Sequence, residues 1–425
     1  MLLKNARITE LANKLSQGNT KALEEFWRDV KSMGTPLLEP ILEQDNLAVT
    51  FVLRTTQQGN HSLLLGTPAN LDALNHNFIN LPNTDLWYLT LALPPDLRTV
   101  YGLLLDAPLL PEDFIDAPDF ALLGQFFTAL QNNLKPDDFN NKSYEIPPGI
   151  WLNPKKIPLS LLELPAAPTQ PWVPTHDDVK KGTLTQFRFK SKILGNERTV
   201  WLYMPPPMPK EDEKKRALLI LFDGDAYTSV VPTPTILDNL IDAKKIPPCI
   251  AIFFDNPDDP TRDYELGCNP LMPRFIQEEL LPVILDSHNI TYDPTNLVIA
   301  GSSFGGLGAL YAGFLMPACF SKIISLSGHL GFGGELQRKD EWLINEFATN
   351  EPLPLEIYLS VGSLESGPPT FDKKPSFIDA NSAMRDVLEL KGYRFCYNEY
   401  AGGHDYVNWQ HELAQGLIFL FSRHT

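Results

Sequence analysis

Residues 297–314, LVIAGSSFGGLGALYAGF, begin as an apolar, β-branched run, pass through a cluster of small residues and resume at helical spacing. The pattern predicts a buried strand, a sharp turn and a helix, with Ser303 at the apex of the turn. Gly301-Ser302-Ser303-Phe304-Gly305 matches G-x-S-x-G, the signature of a nucleophile elbow. Such an elbow holds its serine in a strained backbone conformation, and side chains at the flanking glycines would collide with the adjoining strand and helix. The hydroxyl is pushed out of the turn, while the helix opening at Phe304 directs N–H groups and its positive dipole end toward the same spot. The turn aims an oxygen nucleophile at an anion site.

The surroundings of this turn give the fold class. From about residue 183 onward, ALLILFDGD, CIAIFFDN, NLVIAGSS, KIISLSGH, LEIYLSVGS and RFCYNEYAGGHD are apolar runs separated by helical segments at 271–288, 304–316, 376–391 and 408–422. Continuous apolar strands alternating with helices predict a parallel sheet covered on both faces, with its chemistry at the carboxyl ends of the strands. TLTQFRFKSKIL and RTVWLYMPP, flanking Gly195-Asn196, predict an opening hairpin. The expectation is an α/β protein, with an α/β-hydrolase catalytic domain over residues 180–425. Upstream, residues 46–104 form short alternating runs bounded by Asn, Gly, Pro or Asp, which predicts an immunoglobulin-like β-sandwich with Trp87 and Tyr101 as core anchors. This amino-terminal domain, residues 1–165, opens with an amphipathic helix interrupted at QGNT. The proline-dense residues 107–175 read as an extended strap that contributes no central strand.

Bulk properties set limits on function. A chain of 425 residues exceeds one ordinary core, which agrees with two domains, and 43% hydrophobic with 20% charged residues is a globular composition. A net charge of −17 argues against nucleic acid, whose backbone is held by clustered Lys and Arg. No stretch approaches the roughly 18 uninterrupted apolar residues of a membrane helix. The amino terminus lacks the apolar core of a signal peptide, so the expected location is cytoplasmic. Four cysteines without a CxxC pair suggest neither a zinc site nor a disulfide framework, and no metal ligand set is expected.

A serine hydroxyl needs a base to take its proton. Of eight histidines, His404 in YAGGHDYVNW follows the last strand and precedes the terminal helix, where the adjacent glycines free the backbone to bring an imidazole over Ser303. His329 in SLSGHLGF also follows a strand end, but the chain order Ser, acid, His assigns it to the pocket wall. Glu365 is the first carboxylate after the strand LEIYLSVG and is the expected acid, with Asp372 and Asp379 as substitutes. The oxyanion site is expected to pair the amide of Phe304 with that of Asp225 or Gly224, from LLILFDGDAY; Asp223 reads as a structural turn residue.

LLILFDGDAY, DPTRDYELGCNP, FIQEELLPVI, VIAGSSFGGLGALYAGF, SLSGHLGF and AGGHDYVNW resemble, in order and spacing, segments of the enterochelin (enterobactin) esterases, within the wider esterase D-like group of α/β-hydrolases. FINLPNTDLWYLTLALPPDLRTVYGL is similar to the amino-terminal domain of the same family. The resemblance implies a cytoplasmic hydrolase of catecholate trilactone siderophores, with Ser303 as nucleophile, His404 as base and a carboxylate near Glu365. It also implies no cofactor, since iron would arrive with the substrate. Arg262 in TRDYEL matches a basic position beside the family's pocket, where it would contact the anionic catecholate–iron centre or pair with Glu265. A carbohydrate-linked feruloyl or acetyl esterase and an inactive siderophore-binding protein are the competing readings, and an oligomer formed through a sandwich edge is compatible with all three.

Overall fold

The contacts of the chain divide it into two compact units: Met1–Pro168 with Gly367–Lys373 and Ala401–Asp405, and Thr169–Ser366 with Lys374–Tyr400 and Tyr406–Thr425. The computed structural model describes residues 5–42, 44–66, 76–107, 132–146, 156–209, 214–333, 340–367 and 375–422.

The first unit opens with helices α1 (Ala6–Ser16) and α2 (Ala22–Met33), broken at the expected QGNT turn. Asn5 caps α1 by accepting from the Ile8 N–H at 3.0 Å. Among the described residues, ten strands follow, β1 (Leu37–Pro40), β2 (Leu47–Arg54), β3 (Ser62–Leu65), β4 (His76–Asn77), β5 (Ile79–Asn80), β6 (Leu86–Leu93), β7 (Arg98–Leu104), β8 (Leu134–Lys135), β9 (Ser143–Ile146) and β10 (Ile157–Glu163). They make two sheets, ordered β1-β2-β6-β5 and β4-β3-β7-β10-β9, with β8 also against β7. Phe51 of the first sheet and Tyr101 of the second meet edge to face at 5.0 Å, and Trp87 and Tyr101 are buried as core anchors should be. Trp27 and Val30 of α2 pack on Val52 and Leu86.

The proline-dense stretch departs from its expected form. It supplies β10, which lies between β7 and β9. Proline is tolerated there because the β7 pairing begins only at Ser160, while Pro158 stands earlier, opposite Glu145 of β9. Residues 108–131 and 147–155 of that stretch lie outside the described residues.

The second unit is built on one sheet of β11 (Thr183–Lys190), β12 (Glu197–Met204), β13 (Ala217–Phe222), β14 (Cys249–Phe254), β15 (Leu297–Ser302), β16 (Lys322–Leu326), β17 (Glu356–Gly362) and β18 (Arg394–Tyr400), ordered β11-β12-β14-β13-β15-β16-β17-β18. β11 and β12 form the expected hairpin and are antiparallel; β13 to β18 are parallel. Every residue of β13, β14 and β15 is buried, which is why these strands read as unbroken apolar runs. The chain steps from β13 to β14 on one side and then returns to β15 on the other. This reversal makes the carboxyl ends of β13 and β15 a topological switch point, the place where open α/β sheets bind their ligands.

The helices of this unit are α3 (Gly224–Ser229), α4 (Thr233–Asp242), α5 (Asp259–Leu266), α6 (Leu271–Phe275), α7 (Leu281–Ser287), α8 (Phe304–Leu315), α9 (Trp342–Thr349), α10 (Phe377–Leu390) and α11 (Tyr406–Phe421). The helix expected over 271–288 is interrupted by a π turn at Ile276–Leu280, just before Pro282, which has no N–H to continue the ladder. Helix α5 is tied to the sheet by a buried ion pair. Arg198 of β12 donates to both oxygens of Glu265, at 2.8 and 3.0 Å, and Asn196 adds a bond of 2.7 Å. The guanidinium also stacks 4.9 Å from the centre of the Phe275 ring.

Removing one member of such a pair strands the other charge. Arg198→Leu should therefore cost about 3 to 5 kcal/mol of unfolding free energy. Urea titration of the two proteins checks this, and a change under about 1 kcal/mol would show that Glu265 is adequately held without Arg198.

Candidate active site

Ser303 stands between β15 and α8 with φ 56° and ψ −121°, a backbone conformation costly for any residue with a Cβ. Its amide donates to the Leu326 carbonyl at 2.9 Å, and its carbonyl accepts from the amides of Leu307 at 3.1 Å and His329 at 3.0 Å. These bonds hold the strained residue from three directions. A Cβ on Gly301 would lie 2.5 Å from the backbone carbon of Gly305, so the glycine spacing of the motif is a packing requirement where the strand meets the helix. The elbow therefore sits at the carboxyl end of β15, the strand beside β13, with the first turn of α8 directly after it.

On the neighbouring strand, β13 leads into Asp223 in the left-handed region, φ 57°, followed by Gly224 as the first residue of α3. The Asp223 carboxylate is gripped by both prongs of Arg262, Nε to Oδ1 at 2.5 Å and Nη2 to Oδ2 at 2.7 Å. Arg262 does not pair with Glu265, which belongs to Arg198; its guanidinium grips the turn after β13 instead. Asp223 is the structural turn residue anticipated. The Asp225 amide donates to Asp255 at 2.9 Å, so of the two amides considered for the second oxyanion donor it is the one already engaged.

Glu365 follows β17 and is buried. Its Oε1 accepts from the Gly362 amide and from the Ser327 hydroxyl, both at 2.7 Å. Two donors on one oxygen fix the carboxylate in place. Ser327 is a residue the sequence reading missed. It has φ 45°, receives the Trp409 indole N–H at 3.0 Å and lies 3.2 Å from the Tyr400 hydroxyl. Its only signal in the sequence is a small polar residue just after a strand, in SLSGH. The substitute acid Asp379 is occupied in capping α10, where Ser376 and Asp379 bond reciprocally. Asp372 lies outside the described residues.

His329 is buried, with its ring 4.7 Å from Phe304, 5.0 Å from Phe377 and 5.7 Å from Phe332. His404 is buried in the loop Ala401–Asp405 between β18 and α11, a loop that groups with the first unit. Ser303, Glu365 and His404 follow β15, β17 and β18 along the chain, in the order expected of a nucleophile, an acid and a base.

A family model described as "Putative esterase" matches residues 191–420, more than half the chain, and "Enterochelin esterase, N-terminal" matches residues 48–173. The chain belongs to the esterase family, with the amino-terminal domain of the enterochelin esterases. It is a carboxylic ester hydrolase. It is 27% identical to the iron(III) enterobactin esterase of Dickeya dadantii, covering 94% of this chain and 93% of that protein. It is 28% identical to the iron(III) salmochelin esterase of Escherichia coli O6:H1, covering 97% of each. Crystal structures of the ferric enterobactin esterase of Salmonella typhimurium and of the enterobactin esterase of Shigella flexneri, the latter in the presence of enterobactin, align with TM-scores of 0.73 and 0.70 at 26% identity. They cover 93% of this chain and 98% and 97% of theirs. Among the described residues, no helix is long and apolar enough to cross a membrane.

The carboxylates at the ends of β13 and β14 carry a pH signature. Burial, reinforced by the charges of Asp223 and Asp225 and opposed by the Asp225 N–H, pushes the Asp255 carboxyl from its ordinary 3.8 up to about 7. Between those values the folded chain holds a proton that the unfolded chain has released, so this group's contribution to stability falls as pH rises through that window. Asp255→Asn keeps an acceptor for the Asp225 amide and does not titrate. The Tm of the variant minus that of the parent should accordingly increase from pH 5 to pH 8; a difference that stays level across that range is the contrary result.

Proposed function

We propose that this esterase hydrolyses the ester bonds of a catecholate siderophore such as ferric enterobactin, in the cytoplasm, and so releases the iron. The relatives that align over nearly the whole chain, both domains included, carry enterobactin or salmochelin in their names, which supports this substrate class. The observation that carries the chemistry is the strained Ser303 at the carboxyl end of β15 in the parallel sheet.

In the proposed cycle, the Ser303 Oγ attacks a lactone carbonyl carbon as His404 takes the hydroxyl proton. The negative charge that develops on the carbonyl oxygen is received by main-chain amides. Phe304 supplies one, as the first residue of α8, where an N–H has no partner within the helix. Gly224 is the proposed second donor in place of Asp225, whose amide Asp255 engages. Each donor contributes about 3 to 4 kcal/mol to lowering the barrier. Collapse of the tetrahedral intermediate breaks the ester C–O bond, and His404 returns its proton to the departing seryl oxygen. A water molecule, deprotonated by His404, then attacks the acyl-enzyme and frees Ser303. Glu365 is proposed to orient the imidazole and stabilise its charged form, as the buried carboxylate fixed by Ser327 and Gly362. In this scheme Arg262 shapes the oxyanion turn through Asp223 and leaves recognition of the anionic substrate to other groups. The His329 ring, beside Phe304, forms part of the pocket wall. The substrate is a small molecule, and the net charge of −17 offers no general attraction to nucleic acid.

Replacement of the nucleophile or the base tests the reading directly. Ser303→Ala and His404→Ala should each lower turnover of ferric enterobactin and of p-nitrophenyl acetate by roughly 10⁴- to 10⁶-fold, with binding of the ferric siderophore retained. Product release is followed chromatographically for the siderophore and by absorbance for the nitrophenol. Near-normal hydrolysis by Ser303→Ala would refute the assignment.

A further inference from the structure

The loop carrying His404 belongs, by its contacts, to the unit built by the amino-terminal half of the chain. We propose that Thr99 of β7 is a positioning residue for His404, through the loop that carries the histidine. The proposal rests on the reading of His404 as the base.

The loop is fastened on both sides of the histidine. Before it, the Arg98 amide donates to the Ala401 carbonyl at 3.0 Å. After it, the Thr99 hydroxyl donates to Asp405 Oδ2 at 2.8 Å, a charge-assisted bond in which both residues are fully buried. Between these ties, the Asp405 amide donates back to the Gly403 carbonyl at 2.9 Å. That bond closes a three-residue turn with His404 as its central residue. Gly403 lies so close to β7 that an added Cβ would be 3.3 Å from the Thr99 hydroxyl and 3.6 Å from the Gly66 Cα. The glycine sequence before His404 thus reflects contact at Gly403, in addition to the backbone freedom the sequence suggested. β7 is itself well anchored at this point, because the buried Arg98 side chain pairs with Glu163 of β10 at 2.6 Å.

Neither tie touches a reacting atom, yet both determine the backbone path on which the imidazole rides. A general base displaced by ~1 Å can lose about 100-fold in rate, because the proton transfer requires a near-attack arrangement. A buried hydroxyl–carboxylate bond spanning 306 positions of sequence is a means of preventing that displacement. A purely structural role would instead lower stability and leave the kinetics of the folded protein unchanged.

The test compares Thr99→Val, nearly isosteric but without the donor, with Thr99→Ser, which restores it, in the full-length protein. Steady-state hydrolysis of ferric enterobactin is measured below the unfolding temperature of each variant. Thr99→Val should lower kcat roughly 10- to 100-fold with KM within about twofold, and Thr99→Ser should recover most of the loss. An unchanged kcat in folded Thr99→Val, a loss confined to KM, or an equal loss in Thr99→Ser would overturn the proposal. If Thr99→Val does not fold, Thr99→Ala, which also removes the donor, decides the matter: a lower kcat at constant KM supports the tether, and a parental kcat overturns it. Failure of the underlying assignment would look different, since Ser303→Ala or His404→Ala would then remain active whatever the Thr99 variants do.

Discussion

Ser303 can occupy its strained conformation only because every element around it is already committed. The close approach of Gly301 to Gly305 lets α8 start against the end of β15, and the bonds to Leu326, Leu307 and His329 hold the turn once it is made. Strain of this kind costs of order 1 to 3 kcal/mol and persists only where the surroundings over-determine it. The sheet supplies that over-determination. β15 is flanked by β13 and β16 in parallel register along its length, so the elbow cannot relax without disturbing two fully buried neighbours.

The end of β16 transmits this order to Glu365. Leu326 receives the Ser303 amide, the Ser327 hydroxyl grips Glu365, and the His329 amide returns to the Ser303 carbonyl. Three residues within 326–329 thus connect Ser303 with the Glu365 carboxylate. Ser327 adopts a left-handed conformation with its amide on Ser360 of β17 at 2.7 Å, which spans the gap between the strands that precede the two functional residues.

The parallel sheet, its helices and the elbow were legible because each depends on local pattern. Buried strands appear as unbroken apolar runs, and the G-x-S-x-G spacing records a backbone contact between positions four residues apart. What the sequence hid was pairing at a distance. Arg262 had a carboxylate three residues away at Glu265, but Arg198, from another strand, takes Glu265 and leaves Arg262 to Asp223. The strand β10 was hidden by its prolines, since their harm depends on which neighbour pairs at which residue. The tie from Thr99 to Asp405 leaves no local periodicity at all.

Local electrostatics also shape how a strongly acidic chain can perform this chemistry. Asp223, Asp225 and Asp255 gather at the ends of β13 and β14, beside the proposed oxyanion site, and three full negative charges there would oppose the charge that develops during attack on a carbonyl. Two features reduce that opposition. The bidentate grip of Arg262 neutralises Asp223 at the residue next to Gly224, and burial with its neighbours' charges raises Asp255 until it holds a proton near neutrality. The Asp255 carboxyl nevertheless keeps accepting from the Asp225 amide and so shapes the turn in either protonation state. The turn proposed to hold the oxyanion is therefore built from carboxylates used for their geometry while much of their charge is cancelled, which reconciles an acidic loop with the proposed stabilisation of an anion.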